Sequence, residues 1–77
     1  MSTVYDDVKA IIVDVLKVDA SEINMETRFI EDLKADSMDQ FFLIDGFSEK
    51  FNLDIPDEIA RQIKSVNDAV TYIEKNK

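Results

Sequence analysis

The chain has 77 residues and is 45% hydrophobic, and its nine Lys and Arg stand against 17 Asp and Glu for a net charge of −8. That length allows one small domain, 1–77, with a modest core. It contains neither Cys nor His, which excludes disulfides, thiolate metal sites and cysteine nucleophiles and removes the commonest general base.

So acidic a surface is repelled by nucleic acid phosphates and anionic lipid headgroups and is steered toward basic patches on partner proteins. The opening residues lack the basic region and apolar run of a signal peptide, and no apolar stretch reaches membrane-spanning length. The expectation is a cytoplasmic monomer that binds no nucleic acid and no membrane. One Gly and one Pro in the whole chain argue against an all-β fold with frequent tight turns.

Val4, Val8, Ile11, Ile12 and Val15 recur at helical spacing and predict a first helix. Ser2 or Thr3 can cap it, and Asp6 and Asp7 suit the positive end of its dipole. From Val18 to Asp36 the pattern lapses into a long loop, with Ile23, Met25, Phe29, Ile30 and Leu33 as its apolar anchors. Ser37 through Gln40 fits a capping box, with the Ser37 hydroxyl as cap and Gln40 reaching back, so a second helix runs from there to about Phe51. Ile55-Pro56 holds the chain extended before a short third helix, Asp57 to about Gln62, with Pro56 in its first turn. Ser65 caps a fourth helix carrying Val66, Ala69, Val70 and Ile73 on one face. The expected fold is all-α: a four-helix bundle with a long first loop and a short third helix. Its expected core comprises Val8, Ile11, Ile12, Val15, Phe29, Leu43, Phe47, Phe51, Ile59, Val70 and Ile73.

The second helix carries more apolar residues than one face can bury. With Phe47 at zero and about 100° per residue, Leu43, Ile44 and Phe51 fall within about 60° of it. Met38, Phe41 and Phe42 lie more than about 100° away. Either the loop and third helix cover this second group, or it is an exposed patch that docks on partners. Gly46, unfavourable inside a helix, is consistent with a close helix crossing.

Ser37 lacks the setting of a hydrolytic nucleophile: there is no His, no G-x-S-x-G turn, and Lys34 is a poor base. A helix start nevertheless favours a phosphodiester, because the dipole and unpaired N–H groups attract negative charge. Asp32, Asp36 and Asp39 do not have the spacing of a calcium loop, and no metal site is expected.

Glu31-Asp32-Leu33-Lys34-Ala35-Asp36-Ser37-Met38-Asp39 resembles the phosphopantetheine attachment motif of acyl carrier proteins. Phe51 through Glu58 resembles the passage from that family's second helix to its third, and Ser65 to Ile73 resembles its last helix. The resemblance covers essentially the whole chain. It implies a carrier and not an enzyme, with 4′-phosphopantetheine moved from coenzyme A onto Ser37 by a phosphopantetheinyl transferase. The arm's thiol then holds acyl cargo as thioesters before fatty acid synthesis enzymes with basic docking surfaces. Asp36, Met38 and Asp39 flank the attachment site. Glu31, Asp32, Phe41, Phe42, Asp45, Glu49, Asp57 and Glu58 are the expected partner-binding residues. The interior is expected to shelter a short acyl chain against Leu43, Phe47 and Ile59.

Several positions depart from the family pattern. Met38 stands for the usual Leu, and Lys34 replaces a frequent glycine. Phe42, Ser48 and Lys50 stand where acids are usual, and Asp45 where an apolar contact is usual. These departures point to docking with a larger apolar share. A D-alanyl or polyketide carrier, and a cofactor-free helical interaction module, are the alternatives.

Overall fold

Thr3 opens the first helix by accepting the Asp6 N–H at 3.1 Å, while the Asp6 carboxylate accepts the Thr3 N–H at 3.3 Å. The computed structural model describes residues 3–76, so Ser2, the other candidate cap, lies outside the described residues. Helix α1 spans Val4–Leu16, α2 Ser37–Phe51, α3 Asp57–Ala60 and α4 Val66–Asn76. A single 3-10 turn, Ala20–Glu22, interrupts the long loop. The only β pairing among the described residues is one isolated antiparallel bridge between Arg28 and Ser65. The fold is the all-α arrangement that the periodicity predicts.

Helix α1 packs against both α2 and α4. Val4, Val8 and Ile12 bury its inner face, and Leu43, Ile44 and Phe47 do so for α2. Val66, Ala69, Val70 and Ile73 complete the core from α4. Ile11, Val15, Phe51 and Ile59, expected in the core, pack at its margin and are half-buried. Val15 and Phe51 sit in last turns, Ile59 on a one-turn helix, and Ile11 on the flank facing α2. Small residues that periodicity did not single out, Ala35 and Ala60, are buried with Ile23 and Ile63.

The long loop is held mainly by its backbone. Val66 and Asn67, at the start of α4, donate their N–H groups to the carbonyls of Thr27 and Met25, each at 2.9 Å. Phe29 N–H returns a bond to the Lys64 carbonyl at 3.0 Å. The loop thereby satisfies donors that a helix start leaves open. This strand-like pairing alternates its side chains, so Thr27 and Phe29 turn inward. Met25 and Ile30, expected as anchors, are exposed instead. Thr27 is buried at no polar cost, because its hydroxyl accepts from Asn24 N–H and donates to the Glu22 carbonyl. The Phe29 ring meets Phe47 with centroids 6.4 Å apart, tying the loop to α2.

Helix α3 is shorter than expected, and Pro56 is its N-cap rather than part of its first turn. In a continuing helix the Ala60 carbonyl would accept the Lys64 N–H. Lys64 N–H goes instead to the Asp68 carboxylate at 3.2 Å. The Gln40 side-chain amide donates to the carbonyls of Ala60 and Ile63, at 3.1 and 3.0 Å. The cap of α4, with Gln40 on the freed carbonyls, therefore ends the helix at Ala60. At the start of α4, Ser65 caps as expected by accepting from the Asp68 N–H.

Gly46 marks the crossing of α1 and α2: a Cβ there would lie 2.9 Å from Ile11 Cγ2, a branch methyl close to its own backbone. Gly46→Ala gains about 1 kcal/mol of helix propensity but meets overpacking that costs about 1–3 kcal/mol. Thermal melts are expected to show a lowered Tm for Gly46→Ala, and no such loss when it is introduced into an Ile11→Ala background. A raised Tm in the otherwise native chain contradicts a tight crossing.

Candidate functional site around Ser37

The approach to α2 passes through Lys34, whose φ of 59° lies in the left-handed region. That conformation costs about 1 kcal/mol for a residue bearing a Cβ, and it gives a physical reason for the family's frequent glycine here. Ala35 N–H then bonds the Phe29 carbonyl at 3.0 Å, and the buried Ala35 side chain fixes where α2 begins.

The cap of α2 is Asp36, not Ser37. The Asp36 carboxylate accepts the Asp39 N–H at 2.8 Å, and the Asp39 carboxylate accepts the Asp36 N–H at 3.3 Å. This corrects the capping box expected one residue later. Both residue types cap well, but a carboxylate also sets a full negative charge against the positive end of the helix. Gln40, expected to reach back to the cap, reaches across to α3 instead. Ser37 becomes the first residue of the helix, is exposed, and takes no part in the cap. Its N–H and that of Met38 belong to the first turn, where a helix has no internal acceptors.

Ser37 opens onto a groove of about 410 Å³ between α2 and the α3 region. Ile30, Phe41, Ile44 and Ala60 line it with apolar surface, and Gln40, Arg61 and Lys64 supply the polar groups. Leu43 and Phe47, expected to line a shelter in the interior, are fully buried in the core, and Ile59 is half-buried at its margin; this groove is a separate space on the surface. A phosphodiester-linked arm fits this arrangement: an accessible hydroxyl, a helix start, and an apolar trough leading away from it.

The second apolar group on α2 is uncovered. Met38, Phe41 and Phe42 are 64%, 54% and 55% exposed, which decides between the two readings of that helix in favour of a bare patch. Asp45 and Glu49 on α2, and Asp57 and Glu58 in the first turn of α3, are also exposed. Glu31 and Asp32 are partly committed within the loop. Glu31 pairs with the Arg28 guanidinium at 2.7 Å, and the Asp32 carboxylate accepts the Arg28 N–H at 2.8 Å. The hydrogen bond and the negative charge of Glu31 make Arg28 hold its proton more tightly than a free guanidinium.

Among the described residues no group of three or more Asp or Glu is placed to hold a metal ion. No helix among them is long and apolar enough to cross a membrane.

Residues 6–73 match the family model described as the phosphopantetheine attachment site. The chain is 53% identical over 73 residues to an acyl carrier protein of Helicobacter hepaticus, covering 95% of this chain and 96% of that protein. It is 54% identical over 68 residues to an acyl carrier protein of Chlamydia caviae, covering 88% of each. To an acyl carrier protein of Wolinella succinogenes it is 47% identical over 74 residues, covering 96% of this chain and 97% of that one. The accessible serine at the head of α2 and the helical frame around it thus meet a match that spans nearly the whole chain: it belongs to the phosphopantetheine-bearing acyl carrier protein family.

Proposed function

We propose that Ser37 carries 4′-phosphopantetheine and that the chain presents acyl groups on that arm to fatty acid synthesis enzymes in the cytoplasm. The observation that supports this most is the separation of roles at the start of α2. Asp36 closes the helix, which leaves the Ser37 hydroxyl exposed beside a groove that can receive the arm. When bound, the arm supplies a thiol that holds acyl groups as thioesters, a sulfur nucleophile that a chain without Cys cannot provide. The Ser37 hydroxyl oxygen bonds to the pantetheine-side phosphorus of coenzyme A's diphosphate as the bond from that phosphorus to the bridging oxygen breaks; adenosine 3′,5′-bisphosphate leaves, and the transferase takes up the serine proton. Asp36 and Asp39 hold the first turn of α2 rigid and mark the site for the transferase.

Docking falls to the outer face of α2 and its neighbours. Phe41 and Phe42, with Met38 beside Ser37, give partners an apolar anchor of the kind that dominates protein interfaces. Asp45, Glu49, Asp57 and Glu58 surround it with acids that steer basic partner surfaces into place. Glu31 offers partners less charge because the Arg28 guanidinium pairs with it, whereas Asp32 only accepts the Arg28 backbone N–H and keeps its charge.

Intact mass after incubation with coenzyme A and a broad-specificity phosphopantetheinyl transferase tests the assignment. One phosphopantetheine is expected on the native chain and none on Ser37→Ala. A folded native chain that gains nothing points to a cofactor-free interaction module instead. For docking, Phe42→Glu is expected to weaken binding of the loaded carrier to at least one synthesis enzyme by about tenfold, roughly 1.4 kcal/mol. Calorimetric titrations showing unchanged affinity for every partner contradict the apolar anchor.

A further inference from the structure

A chain of net charge −8 places two of its nine cations on the groove beside Ser37. Arg61 and Lys64 both line it, and neither takes part in the ion pairs found among the described residues, which use Lys17 and Arg28. Lys64 also borders a neighbouring depression with Glu31 and Asp68, but no ion pair joins it to either.

Their backbone is pinned. Gln40 holds the carbonyls of Ala60 and Ile63, which flank Arg61 closely and abut Lys64. Lys64 donates its N–H to Asp68 and accepts the Phe29 N–H at its carbonyl. The two cations therefore project from a fixed segment rather than from a free loop.

A group attached to Ser37 brings an anionic phosphodiester between the carboxylates of Asp36 and Asp39. Like charges at that distance repel, and the helix start offsets only part of this. Cations on the facing wall supply the rest. Ile30, Phe41, Ile44 and Ala60 line the same groove and offer an apolar surface to the remainder of the arm. A groove that combines apolar lining with two cations unpaired among the described residues suits one ligand class, an anion with a long, largely uncharged tail.

We propose that Arg61 and Lys64 hold the phosphodiester of the group on Ser37 and so lay the arm along the groove in the resting loaded carrier. The proposal rests on the Ser37 reading. It assigns to these two side chains a positioning role: they set where the arm lies, and partner surfaces that compete for the phosphodiester release it.

The test compares amide spectra of the unloaded and loaded protein for the native chain and for the double variant Arg61→Gln/Lys64→Gln, with intact mass confirming loading of each sample. Loading the native chain is expected to shift the amides of Ile30, Phe41, Ala60, Arg61 and Lys64 as well as those of Ser37 and Met38. In the double variant the shifts at Ile30, Phe41 and Ala60 are lost, and those at Ser37 and Met38 remain. Salt at about 0.5 M, which screens charges beyond a few ångströms, reduces the native groove shifts in the same way. Full loading with groove shifts that are absent from the native chain, or that survive in the double variant, overturns the proposal alone. Absence of any mass gain on the native chain overturns it together with the Ser37 assignment.

Discussion

Asp36 and Asp39 exchange hydrogen bonds across the first turn of α2, each carboxylate accepting the other's backbone N–H. This box fixes the register of the helix and occupies the side chains on either side of Ser37 and Met38. The hydroxyl between them is left exposed at a rigid helix start. A serine that capped the helix itself would have its oxygen engaged with the backbone, and modifying it would compete with helix stability. Here the two tasks fall on adjacent residues.

The loop before α2 makes that arrangement possible. Its backbone pairs with the start of α4, Phe29 plugs into Phe47, and Ala35 is buried directly before the cap. Lys34 adopts a left-handed conformation to complete the path. On the other side, the Gln40 amide helps to stop α3 after one turn and fixes the wall of the groove facing Ser37. The site is therefore assembled from four separate parts of the chain around one exposed oxygen.

Helical periodicity was enough to read α1, α2 and α4, since Thr3 and Ser65 are strong caps placed directly before clean apolar stripes. The surplus of apolar residues on α2 is readable, because no single face could bury Phe47 and Phe42 together, but whether the loop and third helix cover it is settled only by the packing. The cap of α2 was misread by one residue: Asp36 and Ser37 are both good N-caps, and local pattern does not separate them. Gln40 finds its partners 20 and 23 residues away, so its role and its share in the early end of α3 are tertiary facts without a local signal. In the loop, the inward turn of Thr27 and Phe29 about the Arg28 bridge follows from pairing with α4, whereas Met25 and Ile30 lie in the turns on either side of it and face out; no spacing within the loop reveals this. The groove beside Ser37, lined by Ile44 and Ala60, lies toward α3 and outside the α1–α2–α4 core, and periodicity along α2 does not announce it. The left-handed Lys34 left one trace, its departure from the glycine usual in the family.

Paired thermal unfolding of Asp36→Ala and Ser37→Ala tests the division of roles most directly. Removing a carboxylate cap costs about 1 kcal/mol, which for a domain of this size lowers Tm by roughly 4–8 °C. The account predicts that loss for Asp36→Ala, and a Tm for Ser37→Ala equal to or slightly above that of the native chain, since alanine favours the helix and no cap is lost. A large fall for Ser37→Ala with little change for Asp36→Ala would place the cap on Ser37 and contradict the account.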